Sequence, residues 1–145
     1  MEKKRKVTVI GAGNVGATCA QRIVESNHAD VVLIDVVDGL AEGKAVDIMQ
    51  SAPVLGFTVT LTGTADFREA TGSDIIVMTA GLARKPGMSR DDLLKKNARI
   101  VKDVVQKVVP SSPDAVLIMV TNPLDVMCAI AHRWSDLPSE RIIGM

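Results

Sequence analysis

The chain has 145 residues, seventeen basic and seventeen acidic side chains, no formal net charge and an apolar share of 47%. That is the size of one ordinary domain with room for a buried core. This composition excludes disorder and gives no electrostatic reason to expect nucleic acid or an anionic membrane as partner.

The amino terminus, Met1-Glu2-Lys3-Lys4-Arg5-Lys6, is basic like the start of a signal peptide. Only residues 7–10 follow it before Gly11, too short an apolar stretch for export. No apolar run reaches the roughly eighteen residues of a membrane span, so a cytoplasmic protein is expected. Cys19 and Cys128 stand far apart without a CxxC, which argues against a disulfide framework or a metal site. Lys3–Lys6 reads as a patch that keeps the start of the first strand soluble.

Short β-branched-rich runs at 7–10, 31–34, 59–61, 75–78 and 116–120, with a weaker one at 142–143, are bounded by Gly, Asp, Thr or Pro. Being almost continuously apolar, they suit parallel strands buried on both faces. Between them, 14–27, 40–51, 89–109 and 124–134 have helical length, and 66–70 adds one turn. In the third helix Leu93, Leu94, Asn97, Ile100, Val101, Val104, Val105 and Val108 recur at three- and four-residue steps, until Pro110 and Pro113 stop it. Six strands joined by crossovers predict an α/β fold, a doubly wound parallel sheet of the Rossmann type. Pattern alone leaves the strand order open.

Gly11-Ala12-Gly13-Asn14-Val15-Gly16 matches G-x-G-x-x-G, directly after the first strand and at the opening of a helix. The second strand ends in an acid, Asp35, with Asp38 as a rival. In this arrangement Gly11 permits the turn, Gly13 lets backbone amides approach a pyrophosphate, and Gly16 lets the helix pack on its strand. The helix dipole and its unbonded N–H groups favour the anion. Asp35 can accept hydrogen bonds from an adenosine ribose diol and would repel a 2′-phosphate, so NAD is the expected cofactor. The sequence has no tyrosine, which excludes the oxidoreductases that use a Tyr/Lys pair as proton donor.

After the fourth strand, Thr79-Ala80-Gly81-Leu82-Ala83-Arg84-Lys85-Pro86-Gly87-Met88-Ser89-Arg90 is punctuated by glycine and proline and carries three cations. It therefore reads as a loop, emerging where open α/β sheets hold ligands. Arg84 and Arg90 could grip a dianion, or one carboxylate and one carbonyl. Spacing alone equally allows a solvated basic loop.

Gly11–Gly16, Asp35, the run from Leu82 to Arg90 and Val120-Thr121-Asn122-Pro123-Leu124-Asp125 resemble the amino-terminal half of malate dehydrogenases. The likeness is to the bacterial type that shares its ancestry with lactate dehydrogenase, and it spans the whole chain. It implies that Arg84 grips the far carboxylate of a dicarboxylate substrate, where lactate dehydrogenases have glutamine. Arg90 matches the arginine that polarises the ketone and stabilises developing oxyanion charge. Asn122 matches the asparagine touching both substrate and nicotinamide, and Asn97, Val120 and Thr121 match further NAD contacts. Residues 40–51 match a helix of the subunit interface, so the resemblance implies a homo-oligomer, although Leu40, Ala41, Val46, Ile48 and Met49 could equally face the sheet. Met119, Met127 and Met145 with Val126 and Ile130 read as core or interdomain surface.

In the family, the proton-transferring histidine and a second substrate-binding arginine follow further along than Met145, and neither has a counterpart among these residues. His28 precedes the second strand and His132 sits late in a helix, and both read as exposed structural residues. The expectation is a domain that binds NAD but is catalytically incomplete. Two alternatives stand beside it: a nucleotide-binding or interaction module working alone, and a fragment of a lactate-type 2-hydroxyacid dehydrogenase. Arg84 and Arg90 count against the first, and Arg84 against the second.

Overall fold

The computed structural model describes residues 4–145, so Lys3 of the basic amino-terminal patch lies outside the described residues. Within that patch, Lys6 donates from Nζ to the carbonyls of Glu69 and Thr71 at 2.7 and 2.8 Å. Strand β1 (Arg5–Ile10) leads into α1 (Asn14–Glu25), β2 (Ala29–Ile34), α2 (Leu40–Gln50), a four-residue α3 (Ala52–Leu55) and β3 (Leu61–Thr64). A 3₁₀ turn at Phe67–Ala70 precedes β4 (Ile75–Met78), then come α4 (Arg90–Val108), β5 (Val116–Met119), α5 (Leu124–Ser135) and β6 (Ile142–Gly144). All strand pairs are parallel, in the order β3-β2-β1-β4-β5-β6. The doubly wound sheet predicted from the sequence is therefore present, and its order reverses between β1 and β4, the topological switch point where such sheets bind ligands.

The central strands are mostly apolar because both faces are covered. Val9, Leu33, Ile34, Ile76 and Met78 are all buried. Side chains of one face pack with α4 and α5 around Val101, Val105, Leu117 and Met127. Those of the other pack with α1 and α2 around Ala20, Val24, Ala41 and Ala45. Met119 and Met127 belong to the core, whereas Met145 is exposed. On α2, Ala41 and Ala45 face the sheet while Val46 is turned to solvent.

One strand differs from its sequence prediction. The run 59–61 is mostly loop, and β3 begins only at Leu61. Asn27 Oδ1 accepts the amides of Thr58 and Val59, and Asp30 Oδ1 accepts that of Thr60 at 2.8 Å, so side chains take the amides there and the first backbone bond to β2 is Val31 N–H to Thr60 O at 2.8 Å. The polar Leu61–Thr64 segment then pairs with Val31–Ile34 as an edge strand. Gly63 is required in it, since a Cβ would overlap the Ala41 carbonyl of α2. Helix α3, absent from the prediction, is a single turn with proline in its first positions and Gly56 closing it at φ 79°.

Candidate functional site

A crevice of about 630 Å³ opens along the carboxyl ends of β1, β2 and β4. Its centre is the glycine loop. Gly11 has φ 103°, and its N–H donates to Ile34 O at 2.7 Å, tying the loop to β2. A Cβ on Gly11 would stand 2.8 Å from both Ala80 N and Thr79 Oγ1. One on Gly16 would overlap the Gly11 carbonyl, so the helix rests directly on the turn that precedes it. A Cβ on Gly13, by contrast, would meet no atom within 4 Å. That glycine borders open space rather than protein.

Gly13 is the N-cap of α1 and offers no side chain to cap it. The Ala17 amide donates to Gly13 O at 2.9 Å, which leaves the amides of Asn14, Val15 and Gly16 at the helix tip without a backbone acceptor. Free N–H groups at the positive end of a helix, approached across a residue without a side chain, form an anion cradle.

Asp35 stands just past β2, half-buried, with Asp38 exposed beyond it. Its Oδ2 accepts the Ala12 N–H at 2.6 Å and its Oδ1 accepts the Val37 N–H at 2.9 Å. The carboxylate therefore braces the glycine loop from the neighbouring strand, and each oxygen keeps a lone pair for a diol. These residues fit a dinucleotide: an anion cradle in the middle and a ribose acceptor on one side.

The other side of the crevice is built from the segment after β4, Thr79–Ala83, to which the segment after β5 is hydrogen-bonded. Thr121 Oγ1 lies 2.7 Å from Ala80 O, to which it donates, and Val120 N donates to Met78 O at 3.0 Å. Asn97 joins the two segments through Leu82 and Asn122. The Asn122 residue is exposed at the turn into α5.

Arg84, Lys85 and Arg90 are exposed on the loop from β4 to α4. Arg84 donates from Nε to Met88 O at 3.2 Å. Among the described residues, none of the three cations forms an ion pair, so their guanidinium and ammonium ends are available to an anion. The far end of the loop is fastened by a capping box at the start of α4. Ser89 Oγ accepts the Asp92 N–H at 3.0 Å, and Asp92 Oδ2 accepts from Ser89 N and Oγ. Those hydrogen bonds hold the Asp92 carboxyl below its ordinary range.

Several crevice residues escape the motif reading. Thr79 Oγ1 lies 2.9 Å from Ile10 O and 3.1 Å from Gly11 O and pins the glycine loop from β4. Val36 and Val37, 78% and 57% exposed, form an apolar lip beside Asp35. Ile100, Asp103 and Lys107 present a second stripe of α4, next to its buried one, and Lys107 Nζ sits 5.0 Å from the Phe67 ring centre. Their three- and four-residue spacing is visible in the sequence, although nothing there says which stripe faces a ligand. His28 and His132 are exposed and do not line the crevice.

Residues 5–144 match the family model for the lactate/malate dehydrogenase NAD binding domain. The chain belongs to the lactate/malate dehydrogenase family. It is 52% identical over 143 residues to a malate dehydrogenase of Desulforudis audaxviator, covering 99% of this chain and 46% of that protein. With a malate dehydrogenase of Chloroherpeton thalassium it shares 58% identity over 141 residues, again 46% of the relative's length. The apo structure of malate dehydrogenase from Picrophilus torridus superposes with a TM-score of 0.93 at 48% identity, covering 97% of this chain and 45% of that one. The lactate dehydrogenase of Cryptosporidium parvum, complexed with lactic acid and nicotinamide adenine dinucleotide, gives 0.94 at 40% identity, covering all of this chain and 46% of that one.

The chain thus spans about half the length of the dehydrogenases it matches. As the NAD binding domain of the lactate/malate dehydrogenase family, it has NAD as its cofactor, and the glycine-loop cradle and Asp35 are the features that fit that molecule. No described helix is long and apolar enough to cross a membrane.

Proposed function

We propose that this chain is the cofactor-binding half of a malate dehydrogenase, which interconverts (S)-malate with NAD and oxaloacetate with NADH. The observation that carries this reading is the pair of unpaired arginines on a loop leaving the same crevice as the anion cradle. An exposed guanidinium with no carboxylate of its own suits the distal carboxylate of a four-carbon diacid, and Arg84 is that residue by family likeness. A methyl group at the same place would leave the charge without a partner, which disfavours a lactate-type substrate. Arg90, at the first turn of α4, is assigned to the substrate carbonyl, where a fixed cation stabilises negative charge building on oxygen. Asn122 is assigned to the side chain that orients substrate against the nicotinamide. Val120 and Thr121 are assigned to further cofactor contacts.

NAD supplies the hydride acceptor when bound. The chain's own residues bind and orient: the tip of α1 takes the pyrophosphate, Asp35 the adenosine ribose, and the two arginines the substrate. Proton transfer needs a base near the reacting hydroxyl, worth about 10²- to 10⁴-fold in rate. Neither His28 nor His132 lines the crevice, so these 145 residues by themselves are assigned binding without turnover. The exposed Val46, Val54 and Leu55 on α2 and α3 support the homo-oligomer implied by the resemblance. Unpaired Cys19 and Cys128 suit a reducing, cytoplasmic compartment.

Titration calorimetry tests the reading. NAD should bind, and oxaloacetate added to the NAD-saturated chain should then give a second signal that pyruvate does not match and that Arg84→Gln removes. Equal signals from oxaloacetate and pyruvate would refute the dicarboxylate assignment, and a first signal alone would favour a simple nucleotide-binding module.

A further inference from the structure

Asp38 is the only aspartate of the sequence followed by glycine. It stands beyond Asp35, outside the crevice lining, at the corner of the connection from β2 to α2. Across this corner the Leu40 N–H donates to Val37 O at 3.2 Å. Gly39 has φ 72° and ψ −9°, the values of the third residue of a type II turn, which favours glycine there.

Both flanks of the corner are fastened. Asp35 Oδ1 accepts the Val37 N–H at 2.9 Å, and Gly39 O accepts the Gly43 N–H at 2.9 Å where α2 begins. The peptide unit between Asp38 and Gly39 is not held in this way. Among the described residues, neither the Gly39 N–H nor the Asp38 carboxylate has a hydrogen-bond or ion-pair partner. Asp38 is exposed, and a Cβ on Gly39 would meet no atom within 4 Å. The neighbouring aspartates are engaged: Asp30 Oδ1 accepts from Thr60 N and Oγ1, and each oxygen of Asp35 accepts a backbone amide. Each of those two is also followed by valine, whose stiff, branched side chain shields the amide nitrogen.

We propose that Asp38 and Gly39 form a self-modification site, at which the folded chain converts Asp38 to isoaspartate through a cyclic imide. Rotation of the unheld peptide unit, which a residue without a side chain permits, brings the Gly39 nitrogen onto Asp38 Cγ. A C–N bond forms, the C–OH bond of the neutral carboxyl breaks, and the hydroxyl leaves as water with the amide proton. Water then adds to the imide. Opening at Cγ restores aspartate. Opening at the main-chain carbonyl of Asp38 leaves the chain running through Cβ and Cγ, with a free carboxylate on Cα. One water is lost and one regained, and nothing is oxidised or reduced.

The product carries an extra main-chain carbon between Val37 and Gly39, so the turn bond from Leu40 to Val37 loses its geometry. Val37 and Leu40 both line the crevice. Isomerisation therefore loosens the lip beside Asp35 and weakens NAD binding, a consequence that rests on the NAD-binding reading, whereas the chemistry does not. The test incubates the full chain at neutral pH and physiological temperature and digests it with trypsin. One peptide, residues 23–44, then holds Asp30, Asp35 and Asp38. Isoaspartate, located by electron-transfer fragmentation, should accumulate at position 38 at least about tenfold faster than at the other two, after a form of the peptide lighter by one water. Urea below the unfolding transition should leave that rate within about twofold. Asp38→Glu, whose imide would need a larger ring, should stay unmodified. By calorimetry the chromatographically separated isoaspartyl form should bind NAD about threefold or more weakly than fresh chain, while Asp38→Glu aged in parallel keeps its starting affinity.

Equal isoaspartate at the three positions, or none at any, would overturn the site. A rate that climbs with the unfolded fraction would do the same, because it would place the reaction in the unfolded chain. An isoaspartyl form that binds NAD as fresh chain does would overturn only the consequence for the crevice. Fresh chain that binds no NAD would overturn the cofactor reading, and the peptide map would still decide the modification.

Discussion

Replacing Asp35 by alanine removes two things that the structure separates. The Ala12 N–H, on a residue that is fully buried, loses the acceptor that stands 2.6 Å away, and a buried donor left unpaired costs about 1–3 kcal/mol. The Val37 N–H is exposed, so water replaces the carboxylate there at little cost. That first effect falls on the free protein and should appear as a lower denaturant midpoint. The second appears only on binding, where a hydrogen bond from the ribose diol to a charged acceptor is worth about 1.5–3 kcal/mol. The dissociation constant for NAD should therefore rise roughly 10- to 150-fold. NADP should be affected in the opposite sense relative to NAD, because the carboxylate that repels its 2′-phosphate has gone. Calorimetric titration of both nucleotides against wild type and Asp35→Ala, beside urea unfolding of the two free proteins, separates the contributions. A variant that binds NAD within about twofold of wild type, or that keeps the wild-type preference over NADP, would refute the assignment of the ribose to Asp35.

Two glycines of the loop should respond in contrasting ways. Gly16→Ala must displace α1 from the Gly11 carbonyl, so stability and NAD affinity should fall together, stability by about 1–3 kcal/mol in thermal or urea unfolding. Gly13→Ser meets no protein atom and supplies the side-chain cap that α1 lacks, so it should hold or raise stability by about a few tenths of a kcal/mol while its hydroxyl occupies the pyrophosphate approach and weakens NAD binding. The Asp92 carboxyl is held below its ordinary range by Ser89, so its stabilisation of the start of α4 is present above the usual aspartate range and disappears as pH falls through the lowered value. The difference in urea midpoint between wild type and Asp92→Ala should accordingly be full at pH 7 and shrink as pH falls below the ordinary aspartate value of about 3.9.

Much of this architecture is legible in the residues, for identifiable reasons. β1, β2, β4 and β5 lie between two helical layers, so their burial is written as apolar runs, and the glycine loop announces itself because backbone geometry at Gly11 and Gly16 admits no other residue. β3 is misread because its own residues Thr62 and Thr64 are polar and lie on an edge, while the apolar Val59 beside it is buried as loop. The hydrogen-bond partners of Thr79 and Asn97 are invisible along the chain because each is a carbonyl or amide near a distant strand end. Strand order is likewise a property of packing, and no local pattern encodes it.

The two faces of the sheet feed separate side-chain clusters, one with α1 and α2, the other with α4 and α5. The crevice runs along the seam, with Gly13, Val36 and Val37 contributed from one side and Ile100 and Lys107 from the other. A molecule lying there is a strap over a two-leaved book: the empty protein can loosen one leaf at a time, as cooperative units of unequal stability do, whereas the occupied protein has to release both at once.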